Sequence, residues 1–156
     1  MSEPSPWILR RRVLPQHADH AGVMWHGAYL AWLEEARVEA LAAVGMAYCE
    51  LSARGMELPV VELNIHYLQP LRHGDAVDVI SRVLPRQGVK LVWLSQLMVG
   101  GEPDRGLAAE ARVELVLVDR LPGGEALDGS GTEFRLRRRW PEDLAAAAKA
   151  LTRGQG

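Results

Sequence analysis

Residues 17–44, HADHAGVMWHGAYLAWLEEARVEALAAV, constrain the fold more than any other stretch of the chain. On a helical wheel Tyr29, Trp32, Leu33, Ala36, Ala40 and Val44 share one face, at the 3, 4, 7 spacing of an amphipathic helix with one buried side. Glu34, Glu35 and Glu39 lie off the centre of that face. Gly45 is a suitable stop. A helix with so broad an apolar face needs a large partner surface. Just before it stand three titratable residues, His17, Asp19 and His20, and a turn through Ala21 and Gly22. A carboxylate next to a helix start with free backbone N–H groups is an arrangement that can bind an oxygen becoming negative during a reaction.

The partner surface comes later in the chain, where the period changes from helical to two. Residues 58–68 alternate around Val61, Leu63, Ile65 and Tyr67. Gln69-Pro70 breaks that strand, and Arg72-His73-Gly74-Asp75 makes a turn. Further strands are expected over residues 76–84, 89–99 and 107–118, with small residues at Ala108, Ala109 and Ala111 that suit close packing. An earlier strand is expected over residues 7–14, ended by Pro15, with Arg10, Arg11 and Arg12 on an exposed face. Residues 46–57 read as a short turn or helix, with Cys49 as a small buried apolar residue. Residues 119–132 read as a loop, residues 133–140 as a last strand, and Pro141 as the N1 residue of an Ala-rich helix. One long helix followed by antiparallel strands means α+β. An open edge in such a sheet invites a second copy of the chain.

With 156 residues there is room for one domain, expected over 1–156 with tails at 1–6 and 152–156. A net charge of -2 gives no pull toward nucleic acid or a membrane surface. The single cysteine excludes an internal disulfide framework and suits a reducing compartment. No stretch has the length of a membrane span or the pattern of a secretory leader, so a cytoplasmic protein is expected.

The segment DHAGVMWHGAY (residues 19–29), continued by WLEEAR (residues 32–37), resembles the signature of 4-hydroxybenzoyl-CoA thioesterase-like enzymes, a branch of the hotdog-fold acyl-CoA thioesterases. IHYLQP (residues 65–70) with Gly74-Asp75 resembles the strand and turn that follow the helix in that family, and Arg139-Trp140-Pro141 resembles its ending. The likeness covers most of residues 7–141; His20 and Trp25 depart from the commoner pattern and bear on pocket shape. The resemblance implies a hotdog fold, a long central helix wrapped by a curved antiparallel sheet of five to six strands. It also implies homodimers or dimers of dimers with sites at the interface, an acyl-CoA substrate with an aliphatic or aromatic acyl group, and no metal or cofactor beyond the CoA of the substrate. Asp19 matches the catalytic carboxylate, and His26 the residue whose backbone N–H polarises the thioester carbonyl.

A thiolate leaves readily, so a carboxylate and an electrophilic clamp suffice for hydrolysis. Asp19 could attack the carbonyl directly or act as general base on water; as a bland alternative it is a turn residue. The His26 side chain could touch substrate or only pack. Gly22, Val23, Trp25, Tyr29, His66 and Tyr67 are candidates for substrate binding, and Lys90, with Arg86, for the CoA phosphates. Glu35, nine residues after His26 of the His26-Gly27 pair, resembles the helix carboxylate of another branch of hotdog thioesterases and is a rival to Asp19, with Glu34 in a supporting role. His17 and His20 are read as structural, and the His/Asp group matches no metal-binding spacing. A non-catalytic module that binds an acyl thioester or a protein is the competing class of function.

Overall fold

The computed structural model describes residues 4–100, 105–121 and 133–155. Strand β1 (Trp7–Arg12) leads through a single 3-10 turn (Pro15–His17) to helix α1 (His26–Ala43). A short helix α2 (Tyr48–Ala53) and β2 (Met56–Glu57) follow, then β3 (Val60–Tyr67), β4 (Ala76–Val83), β5 (Lys90–Val99), β6 (Gly106–Val116) and β7 (Val118–Leu121). The chain closes with β8 (Glu133–Leu136) and α3 (Glu142–Arg153).

Five strands form one antiparallel sheet in the order β1-β4-β5-β6-β3. Period two sends alternate residues to the helix side: Val77, Val79 and Val83 of β4, Leu91, Trp93, Leu97 and Val99 of β5, Ala109, Ala111, Val113 and Leu115 of β6 are all buried. Two serines share that face, and they satisfy each other through a 2.7 Å hydroxyl pair between Ser81 and Ser95. Against this surface α1 buries Ala28, Tyr29, Trp32, Leu33, Ala36, Ala40 and Leu41. Ala108, Ala109 and Ala111 lie in the same cluster as Ala28 and Ala36, so small residues meet small residues where helix and sheet come close. The arrangement is the hotdog fold, α+β, that the resemblance implies.

The apolar core divides along α1. Around its N-terminal half are Leu9, Val13, Met24, Leu71 and the alanines. Around Ala40 and Leu41 are Met46, Leu51, Trp93, Leu117, Trp140, Leu144 and Leu151. That second half is closed by a separate three-stranded sheet in the order β2-β7-β8 and by α3.

Several expectations need correction. The strand read over 107–118 stops at Val116 and restarts at Val118, and residues 119–121, expected in a loop, belong to β7. Residues 122–132 of that loop lie outside the described residues. The last strand covers only Glu133–Leu136 and joins the small sheet. Pro141 is the N-cap of α3, one residue earlier than expected. The chain ends are tied together where tails were expected: Thr152 and Arg153 complete α3, Ser5 N–H donates to Arg153 O at 3.1 Å, and Ser5 bridges Gly154. Gly154 has φ 86, and a Cβ there would strike the Ser5 backbone. Cys49 is exposed, on the outer side of a helix of only two turns.

Along β3 every residue is exposed or half-buried, including Val60, Val61, Leu63 and Tyr67. It pairs with β6 on one side only. Among the described residues no helix is long and apolar enough to cross a membrane.

Candidate active site

The site grows from the turn before α1. The carboxylate of Asp19 accepts the Ala21 N–H at 2.8 Å and the Val23 N–H at 3.3 Å, both on Oδ1. Its backbone pairs with Val23 O at 2.8 Å, and the Gly22 N–H returns to Asp19 O at 3.0 Å. Gly22 closes the turn with φ 78, a conformation that costs glycine little. The turn-residue reading of Asp19 is therefore correct, and it leaves the carboxylate only half used. Among the described residues Oδ2 has no partner, and the side chain is exposed.

This turn is clamped to the body. The Met24 N–H donates to Leu71 O at 2.7 Å, Trp25 N–H to His17 O at 3.0 Å, and His73 N–H to Gly22 O at 3.2 Å. His17 is structural, as expected: Nδ1 accepts the Leu14 N–H at 3.0 Å, and the ring meets Trp32 edge-on at 5.4 Å. The segment that holds the turn is itself pinned. Asp75 takes both Arg105 nitrogens, at 2.6 and 2.9 Å, and the Arg72 N–H at 2.8 Å. The Arg105 guanidinium first, then the Arg72 N–H, holds the Asp75 carboxyl below the usual range. Gln69 donates through Nε2 to Leu107 O at 3.0 Å and to Arg105 O.

The helix opens on Trp25 as N-cap, and its side chain makes no capping hydrogen bond. No acidic residue stands in the first turn. Ala28 N–H turns back to Trp25 O at 3.0 Å, but the amides of His26 and Gly27 find no acceptor among the described residues. An uncapped positive helix end thus stands beside a carboxylate.

Both open on one cleft of about 650 Å³. Asp19, His20, Val23, Trp25, His26, Tyr29 and Tyr67 line it, as do Met24, Leu68, Gln69 and Pro70, which sequence reasoning did not single out. Gln69 and Pro70 had been read as a strand break, and that break is what turns them into the cleft floor. Tyr29 is 3% exposed and meets Tyr67 edge-on at 4.9 Å. Burial pushes its phenol above the usual range, outweighing the opposing hydrogen bond with the Leu71 backbone.

Four expected binding residues do not line the cleft: Gly22, which closes the turn, His66, Lys90 and Arg86. His66 lines a hollow on the opposite face of the sheet, with Asn64, Gln96 and Arg112. It cannot share a face with Tyr67, because consecutive strand residues point to opposite sides. Lys90 begins β5, and its Nζ lies 2.9 Å from Glu114, which it pulls below the usual carboxylate range together with Arg112. It is absent from the cleft lining, as is Arg86, whose guanidinium sits 4.5 Å over the Trp140 ring. The rival Glu35 is engaged by Arg11 of β1, with Nε 3.1 Å from Oε2, and Glu34 is exposed; neither lines the cleft. Among the described residues no group of three or more His, Cys, Asp or Glu is placed to hold a metal.

Known proteins resemble this chain in sequence and fold. A Synechocystis sp. protein provisionally named an esterase is 38% identical over 114 residues, which are 72% of this chain and 66% of that one. The acyl-CoA thioester hydrolase YbgC of Escherichia coli is 28% identical over 110 residues, 70% of this chain and 80% of its own. The chain spans just under two thirds of the first of these relatives. Among solved structures, a hypothetical protein of Thermus thermophilus superposes with a TM-score of 0.73 at 28% identity, over 92% of this chain and 98% of that one. A 1,4-dihydroxy-2-naphthoyl-CoA thioesterase from Synechocystis has the same fold, with a TM-score of 0.76 at 19% identity over 94% and 98% of the two chains. The profile of the thioesterase-like superfamily matches residues 13–148, and the chain belongs to that superfamily.

Proposed function

We propose that the protein hydrolyses acyl-CoA thioesters to the free acid and CoA. The observation that carries this reading is that Asp19, with Oδ2 unpartnered, lines the same cleft as His26, whose amide at the helix start is free. The thioester carbonyl oxygen sits at that amide and gains negative charge as the carbonyl carbon is attacked; one such donor is worth about 3 kcal/mol. Asp19 takes the proton of an attacking water, or attacks through Oδ2 to form an acyl anhydride that water then opens. In either route the C–S bond breaks and CoA leaves as thiolate. The aromatic rings of Trp25, Tyr29 and Tyr67 favour an acyl group with a flat, conjugated end. The reaction needs no metal or cofactor. The names of the E. coli and Synechocystis relatives support the reaction class.

The working form is a homodimer, alone or paired into a dimer of dimers, in the cytoplasm. Its support is β3, an unpaired edge with Val61, Leu63 and Tyr67 exposed, whose end carries the cleft residues Tyr67 and Leu68 at 53% and 57% exposure. A second copy paired along β3 covers that apolar strip and walls the cleft. Leu63→Lys puts two like charges across the pairing and is expected to yield a monomer by light scattering. A dimer of unchanged affinity would remove β3 as the interface.

The activity itself is tested by thiol release from aliphatic and aromatic acyl-CoAs. Wild type should cleave some of them and Asp19→Asn none at a comparable rate. A fully active Asp19→Asn would remove Asp19 from the chemistry.

A further inference from the structure

Gly27 lies at the second position of α1 with an ordinary helical backbone, so its conformation does not require glycine. Helix propensity argues against glycine there. What does require it is Trp25. A Cβ built on Gly27 would fall into the indole, against Cη2, Cζ3 and Cζ2. The ring occupies the place of the missing side chain.

Trp25 is also unusual among the five tryptophans: it is 48% exposed, whereas Trp32, Trp93 and Trp140 are buried and Trp7 is half-buried. No core packing holds the indole. It lies against the Gly27 backbone and meets the His26 ring edge-on at 5.4 Å. Because Cη2 lies against the place where a Gly27 Cβ would stand, the ring rests against the Gly27 backbone and flanks the helix start. A carbonyl oxygen received there brings the atoms on its carbon against the indole.

We propose that Gly27 is a specificity-determining residue that acts through Trp25. Carrying no side chain, it seats the indole as a wall beside the carbonyl, which admits flat acyl groups and refuses those branched next to the carbonyl. The proposal rests on the thioesterase reading for its substrates, though not for its packing.

The test compares benzoyl-CoA with pivaloyl-CoA in wild type, Gly27→Ala and Trp25→Ala. Alanine is compatible with the helix, so Gly27→Ala keeps the fold and unseats the ring. Wild type should favour benzoyl-CoA, and both variants should lose at least tenfold of that kcat/KM ratio. Acrylamide quenching of tryptophan fluorescence should rise in Gly27→Ala, and the rise should vanish when Trp25→Ala is added. A ratio unchanged in both variants, or quenching unchanged in Gly27→Ala, would overturn the proposal. The same ratio is read as Kd by calorimetry. If wild type cleaves neither thioester yet loses discrimination in Kd on Gly27→Ala, the hydrolase reading fails and the role of Gly27 stands.

Discussion

The two ends of α1 are built on opposite terms. At the C-terminal end the backbone is closed: Val44 and Met46 N–H both return to Leu41 O, and Gly45 N–H to Ala42 O. Around it Leu41, Met46, Leu51, Leu117, Leu144 and Leu151 are 1% exposed or less. At the N-terminal end two amides and one carboxylate oxygen have no partner among the described residues, and Asp19 and His26 line an open cleft. Unmet polar groups occur at the closed end too: the indole N–H groups of Trp93 and Trp140 are buried without an acceptor among the described residues. There they are sealed under apolar packing and cost stability. At the open end similar groups are within reach of a ligand. One end of the helix supplies stability, and the other spends it on unpaired groups that a substrate can meet.

This contrast can be broken or sharpened by substitution. The largest effect is expected for Asp19→Asn, which keeps the turn-forming oxygen and removes the charge; kcat should fall about 10²–10⁴-fold, with thermal unfolding nearly unchanged. Leu41→Ala acts at the other end, where a fully buried side chain leaves a cavity; it should cost about 2–5 kcal/mol in denaturant unfolding, while the folded molecules keep their kcat. If Leu41→Ala lowered kcat as much as it lowered stability, the two ends would not be separate.

His26→Pro divides the open end more finely. Proline is favoured at the first helical position, and Trp25 before it already has φ -76 and ψ 152, which proline tolerates. The helix should survive while one amide is lost, and kcat should fall about 10²-fold. His26→Ala, which retains that amide, is expected to lose far less. Equal losses in the two variants would move the role from the backbone to the imidazole.

The smallest effect concerns the Asp75–Arg105 clamp that supports the turn. The Asp75 pKa is depressed in the folded protein, so its contribution to stability is present above the unfolded value and is lost as pH falls through the folded one. Arg105→Gln should therefore cost about 1 kcal/mol at neutral pH, and the difference from wild type should shrink below about pH 4. A difference constant with pH would mean that the guanidinium acts by packing alone.

Much of this was legible in the chain. Period 3.6 from Tyr29 to Ala40 marks the buried stripe of α1, and Asp19, Gly22 and His26 fall where a turn enters a helix. Those are local features, fixed by neighbours a few residues apart. Misreadings fell where distant segments decide. His66 is a candidate for the pocket in the sequence, although the face of a strand residue is settled by its partner strand. Lys90 is a candidate for the CoA phosphates in the sequence, and β6 brings Glu114 beside it. Residues 119–121 carry a loop-like composition, and only pairing with β2 and β8 makes them a strand.

The sequence by itself determined the α+β class, the long helix, the turn before it and the superfamily, because short-range periodicity and a local motif carry all four. Tertiary structure alone decided that the carboxylate of Asp19 is only half used, that Gln69 and Pro70 line the cleft, and that the Trp25 ring rests on Gly27. The first and the last are contacts between near neighbours whose open sides depend on what packs around them, and the second joins segments far apart in the chain.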